Sequence, residues 1–144
     1  MKRMFMGGAA AILGAAALAG CGSSEPESFD AEVLLSGNAD KVVETGSVCT
    51  FAEGVVKPGH TALLRGSDDR LLGKATLESR TAVSNGGRAG GVCTFAATFT
   101  GVAPGEPTYQ VIFDGFEPGI FTEAELRGSP IVDAHNSLEA LWNR

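Results

Sequence analysis

The sequence predicts an all-β domain, a small β-sandwich or Greek-key barrel that ends in a short C-terminal helix. Three observations carry this. Several short runs alternate apolar and polar residues with a period of two, which puts alternate side chains on opposite faces of a strand. Turn signals rich in Gly, Pro, Asn and Asp separate these runs at short intervals, as in sandwiches and barrels. Near the end, Leu138, Leu141 and Trp142 are spaced as one face of a helix.

The first strand is read over Phe29 to Leu35, with Phe29, Ala31, Val33 and Leu35 on one face and Asp30, Glu32 and Leu34 on the other. Gly37-Asn38-Ala39-Asp40 follows as a turn. Val42-Val43 is a short strand and residues 47–52 a firmer one, before a turn at Pro58-Gly59. Thr61 to Arg65 and Arg70 to Leu77 form a hairpin about Gly66-Ser67-Asp68-Asp69. Residues 80–91, with Gly86, Gly87, Gly90 and Gly91, read as a flexible loop that contains the tight-turn signal Asn85-Gly86.

Val92 to Thr100 is the most regular strand. Cys93, Phe95, Ala97 and Phe99 share one face, and Thr94, Ala96, Thr98 and Thr100 the other. After a loop at Pro104 to Pro107, Tyr109, Val111 and Phe113 mark one face of the next strand. A turn-rich link, Asp114 to Gly119, leads to Ile120-Phe121. Thr122-Glu123-Ala124-Glu125 fits a capping box that opens a helical turn to Leu126. The last helix, capped by Asn136 or Ser137, is expected to pack Leu138, Leu141 and Trp142 onto the sheet.

The chain opens MKRMFMGGAAAILGAAALAGC. Lys2 and Arg3 form a short positive region. The uncharged run Met4 to Gly20 is too short and too rich in Gly and Ala to span a bilayer, and it suits a signal-peptide core. It ends in Leu18-Ala19-Gly20-Cys21, which resembles the lipobox of bacterial lipoproteins. The resemblance implies a signal peptide over residues 1–20, cleavage before Cys21, and a diacylglyceryl group of palmitate type on the Cys21 thiol. Two or more acyl chains anchor a protein stably where one does not. The expected location is therefore the cell membrane, on the extracytoplasmic face of the cell envelope. Residues 22–28, GSSEPES, are a polar tether that reaches about 14–16 Å. Residues 29–144 are read as a single β-rich domain.

Cleavage leaves 124 of the 144 residues, enough for one domain with a real core. Without Lys2 and Arg3, 9 basic residues face 17 acidic ones, a net charge of −8. That charge argues against nucleic acid and against electrostatic adhesion to anionic lipid. With Cys21 taken by lipid, Cys49 and Cys93 remain as an even pair in an oxidising compartment. They sit in matched segments, GSVCTFA at 46–52 and GGVCTFA at 90–96, each cysteine on the same strand face as the phenylalanine two residues on. Both thus point inward, as a core disulfide does. A bridge closing about 45 residues contributes about 4 kcal/mol in the chain-entropy account. A metal site is the rival use of these thiols, but no CxxC accompanies them and only His60 and His135 are available in support.

Residues 47–126 also resemble a group of small exported actinobacterial domains. The resemblance rests on Cys49, the hairpin about Asp68-Asp69 with Gly73, Cys93-Thr94-Phe95, Tyr109-Gln110-Val111 and Thr122-Glu123-Ala124-Glu125-Leu126. It implies a β fold and a Cys49–Cys93 bridge, and it brings no activity with it.

Asp133, His135 and Ser137 in DAHNS are the residue types of a hydrolytic triad or a metal site. A triad needs geometry held by separate elements, whereas these lie in one short run where helix capping is the simpler role. No GxSxG, HExxH, GxGxxG or phosphate-loop pattern occurs. Asp68-Asp69 lacks the spaced oxygen ligands of a calcium loop. His60 reads as a turn residue, and Phe116 as core or loop packing rather than an exposed contact. The expectation is a lipid-anchored extracytoplasmic binding module, without catalytic activity, cofactor or metal, that meets a protein or small-molecule partner at the cell surface. Two alternatives stand beside it: a phage or prophage surface lipoprotein acting in superinfection exclusion, and a cell-envelope hydrolase using His135.

Overall fold

The computed structural model describes residues 27–86 and 88–143. The expected signal peptide, Cys21 and most of the tether lie outside the described residues. The strands, in chain order, are β1 (Phe29–Ala39), β2 (Lys41–Val43), β3 (Val48–Thr50), β4 (Val55–Val56), β5 (Thr61–Gly66) and β6 (Leu71–Thr76). There follow β7 (Glu78–Ser84), β8 (Gly91–Val102), β9 (Tyr109–Phe113), β10 (Gly119–Phe121) and β11 (Ile131–Ala134). Two short helices, α1 (Glu123–Arg127) and α2 (Ser137–Trp142), flank β11.

The fold is an all-β sandwich. One sheet has the order β11-β1-β8-β7, the other β10-β9-β5-β6, and β2, β3 and β4 form a small third sheet. Pairing is antiparallel throughout except for β1 with β11, which run parallel. The period-two faces meet in one core. Ala31, Val33 and Leu35 of β1 and Cys93, Phe95, Ala97 and Phe99 of β8 come from one sheet. Ala62 and Leu64 of β5 and Tyr109, Val111 and Phe113 of β9 come from the other. Each large apolar side chain removed from water stabilises the fold by about 1.5–3 kcal/mol. Leu77 alone separates β6 from β7, so the chain changes sheets at a buried corner, where the Leu77 N–H donates to the His60 carbonyl at 2.8 Å.

Cys49 and Cys93 form a disulfide that fastens β3 to β8, with both residues fully buried. The bridge leaves neither thiol for the metal site considered above. The capping box at Thr122 is complete. Thr122 Oγ1 accepts from the Glu125 N–H at 3.2 Å, and Glu125 Oε2 accepts from the Thr122 N–H at 2.8 Å.

Three local expectations are corrected. Gly37 to Ala39 continue β1 rather than turn, because Gly37 pairs with both Cys93 and Ala134. A Cβ on Gly37 would lie 1.8 Å from the Ala134 carbonyl oxygen, so the glycine is there for close approach of two strands. The loop expected over 80–91 is largely strand: β7 runs to Ser84 and pairs along β8, and the reversal is confined to residues 85–90. Asn85-Gly86 does stand in that reversal, closed by Asn85 N–H to the Gly90 carbonyl at 3.0 Å. The apolar residues of α2, Leu138, Leu141 and Trp142, are exposed rather than packed on the sheet.

Candidate functional site at the far pole of the sandwich

β1 spans the molecule, and ten residue steps at about 3.3 Å separate Phe29 from Ala39 by about 30 Å. The tether would enter at Phe29. Around Ala39, at the opposite pole, gather the loop after β3, the β9–β10 turn, the residues after β11, and α2.

α2 is inverted relative to its expected packing. Leu138, Leu141 and Trp142 are 63, 63 and 81 % exposed. A surface helix ordinarily turns its apolar stripe to the core. Here polar bonds set the orientation instead. Asp40 accepts from the Ser137 N–H at 2.9 Å and from its hydroxyl at 2.7 Å. Asn38 Nδ2 donates to Glu139 Oε1 at 2.6 Å, and the Asn136 side chain caps the Glu139 N–H at 2.8 Å. The polar side of α2 therefore faces β1, and its apolar side faces solvent.

His135 is held by the loop after β3. Glu53 Oε1 lies 2.8 Å from His135 Nδ1, Glu53 Oε2 accepts from the His135 N–H at 3.2 Å, and the Ala52 N–H donates to the His135 carbonyl at 2.8 Å. The neighbouring β9–β10 turn is brought against the same loop by Gly115 (φ +86°), where a Cβ would lie 2.7 Å from the Glu53 carbonyl oxygen. That turn carries Phe116 and Glu117. Phe116 is buried and packs edge-on to Phe51, so the core role expected for it holds.

Three depressions open at this pole. A mainly apolar pit of about 240 Å³ lies beside His60, between Leu35, Val56, Leu77, Phe113 and Phe116, with Thr61 and Asp114 on its wall. Across Phe116 lies an acidic trough of about 300 Å³ walled by Glu53, Glu117, Asp133, His135 and Ala140. A shallower hollow of about 400 Å³, shared through Asp133 and His135, extends to Asn38 and Glu139. Among the described residues, Asp40, Glu117, Asp133 and Glu139 have no Lys or Arg ion-pair partner, and Glu53 is paired only with His135. Nearby, hydrogen bonds from the Ser84 N–H and hydroxyl hold the Glu44 carboxyl below the usual carboxylate range.

The tether pole is built differently. Arg70 pairs with Glu106, and Arg127 with Glu123 at 3.2 Å while its guanidinium lies over the Phe29 ring. The Tyr109 hydroxyl donates to the Ala103 carbonyl at 2.8 Å and ties down the β8–β9 link. Desolvation raises the Tyr109 phenol, and the Gly105 N–H bond, with Arg127 beside it, lowers the Glu123 carboxyl.

The sequence-predicted site residues are thus dispersed into distinct roles. Cys49 and Cys93 are bridged, and Cys21 lies outside the described residues. Asp133 stands on β11, His135 pairs with Glu53 rather than with Asp133, and the Ser137 hydroxyl is held by Asp40. Asn136, not Ser137, is the cap of α2. Glu53 and Glu117 were missed by sequence reasoning: Glu53 is 82 residues from His135, and nothing local marks either one. Among the described residues, no group of three or more His, Cys, Asp or Glu is arranged to hold a metal ion, and no helix is long and apolar enough to cross a membrane. No family model, no curated protein and no solved structure matches this chain.

Proposed function

We propose that the protein is a lipid-anchored extracytoplasmic binding module, held to the membrane through Cys21 and presenting the far pole of its sandwich to a partner. The observation that carries this is Leu18-Ala19-Gly20-Cys21 closing an uncharged, signal-like run, with a short polar tether leading into β1 at Phe29. Lipid on Cys21 supplies the membrane affinity that a chain of net charge −8 would not obtain from anionic headgroups. A tether of about 14–16 Å leaves the Phe29 pole nearest the bilayer. The apolar face of α2 and the adjoining depressions then point away from it. The hydroxyls near His135 are engaged in structural bonds, Ser137 with Asp40 and Ser36 with Thr94 at 2.7 Å, which supports binding rather than nucleophilic chemistry.

The test is the intact mass of the membrane-extracted protein before and after reduction and alkylation. The expected chain begins at Cys21, carries acyl mass, and exposes the Cys49 and Cys93 thiols only on reduction. A chain without acyl mass removes the anchor. A second reading, hydrolysis using His135, is favoured by the Glu53–His135 pair, since a carboxylate on one ring nitrogen orients the other for proton transfer. Ester or amide cleavage by the purified protein that is lost in His135→Ala would establish it, and cleavage unchanged in that variant would dismiss it.

A further inference from the structure

We infer that the far pole is a docking groove for a cationic polypeptide segment that carries one bulky apolar side chain. The inference deepens the binding-module reading by naming the partner's chemistry. Four observations converge on it. The pit beside His60, at about 240 Å³, is smaller than the about 300–1,000 Å³ of small-molecule sites and suits a single side chain. It lies across the Phe116 ring from the acidic trough, which shares Asp133 and His135 with the hollow beside Glu139, so the three adjoin in a row. Such a row suits an extended chain better than a compact ligand.

Charge is the third observation. Glu117, Asp133 and Glu139 line this row without a Lys or Arg partner among the described residues, while the opposite pole neutralises Glu106 and Glu123 with arginines. Complementary potential across an interface calls for cations on the occupant. The fourth is α2, which walls the trough through Ala140 and turns Leu138, Leu141 and Trp142 outward beside it. Exposed aromatic and apolar residues of this kind act as anchors once desolvated by a partner. A second copy of this chain fits poorly, because it brings the same carboxylates. A bilayer also fits poorly, because Phe29, where the tether would enter, lies about 30 Å away along β1 and the carboxylates repel anionic headgroups.

Trp142 is the only tryptophan and stands exposed on α2 between Ala140 and Asn143, which line the trough, so its emission reports a partner seated against α2. The full chain in neutral detergent is titrated with short synthetic peptides rich in Lys and Arg that contain one Phe or Leu and no Trp. A saturable blue shift, weakened by salt and lost when the peptide cations become Glu, is the expected result. The doubly substituted E117Q/D133N variant should bind about twofold or more weakly, each exposed ion pair contributing a factor of about 1.4 to 5. Replacing the peptide's Phe or Leu by Ala should weaken it further. Both substituted carboxylates are on the surface, and alkylation confirms that the Cys49–Cys93 bridge has formed in the variant.

Equal binding of the charge-reversed peptide, or unchanged affinity in E117Q/D133N, overturns the groove. A blue shift on phosphatidylcholine–phosphatidylglycerol vesicles without peptide assigns the face to the bilayer and overturns it too. A shift that grows with protein concentration and accompanies a doubled mass assigns the face to a second copy, with the same consequence. Acyl mass is read separately. Binding without lipid removes only the anchor, and lipid without binding removes only the groove.

Discussion

The two poles of the sandwich are made from the same kinds of residue and handle them in opposite ways. At the Phe29 pole, carboxylates meet arginines, the Tyr109 hydroxyl has a backbone partner, and Arg127 covers the Phe29 ring. At the far pole, carboxylates accept from amides, hydroxyls and a histidine, and Leu138, Leu141 and Trp142 face water. The first pole pairs Glu106 and Glu123 with arginines. The other leaves Glu117, Asp133 and Glu139 without a Lys or Arg partner among the described residues and turns the apolar face of α2 to water. The lesson is that polar contacts decide which way a short helix turns. α2 has only six residues, and its bonds to Asp40 and Asn38 go with a helix whose polar side lies on β1 and whose apolar side lies in water.

The largest expected effect tests what holds the far pole to the sandwich. Replacing Cys49 and Cys93 by Ala removes the bridge between β3 and β8 and should lower unfolding free energy by about 4 kcal/mol. Urea denaturation measures it, and a loss under about 1 kcal/mol would mean the small sheet is held by packing alone. Gly37→Ala comes next. Its Cβ would collide with the Ala134 carbonyl, so β11 must separate from β1, at a cost of about 3 kcal/mol. The displacement should appear as a shifted His135 resonance in NMR spectra. A wild-type spectrum and stability would show that β11 is not seated on β1 as described.

Tyr109→Phe probes the other pole. Losing the hydroxyl leaves the Ala103 carbonyl without its donor, and about 1.5 kcal/mol of stability should go with no change at His135. A change at His135 in that variant would show that the poles are coupled.

The Glu44 and Glu123 carboxyls are held below their unfolded values, so the folded chain binds fewer protons there than the unfolded one. Their contribution is present above the unfolded value and is lost as pH falls through the depressed folded one. Thermal midpoints should therefore drop below about pH 4. Glu123→Gln should flatten that slope, and an unaltered slope would count against the Gly105 bond as its source. The Tyr109 phenol is raised, so its contribution is complete below the unfolded value and is lost as pH climbs through the folded one, above about pH 10. Tyr109→Phe should remove that alkaline loss.

The smallest expected effect is the most pointed. Exchanging Leu138 and Leu141 for Ser should change stability by no more than about 0.5 kcal/mol, because neither side chain is buried. A loss of 2 kcal/mol or more, about what burial of a leucine contributes, would mean that α2 packs as its spacing suggests.

Much of the fold was legible. The inward faces of β1, β8 and β9 were readable because strand periodicity is a local geometric fact and the core simply fills whichever face is apolar. The capping box at Thr122 and the reversal at Asn85-Gly86 were readable because each is closed within a few residues. The matched segments around Cys49 and Cys93 show the limit. The first stops after the three residues of β3, while the second extends into the twelve of β8. The same heptad pattern accepts either outcome, and the length is set by how far β1 and β7 run alongside.

By itself, then, the sequence determined the all-β class and the facing of the core strands, because these follow from period-two geometry and short-range turn chemistry, and it pointed to the Cys49–Cys93 bridge because two inward cysteines remain once Cys21 is set aside. Tertiary structure alone decided that Gly37 is a strand contact, that His135 answers to Glu53, and that α2 turns its leucines and its tryptophan to water. Each of those depends on partners far apart in the chain, whose approach no local pattern records.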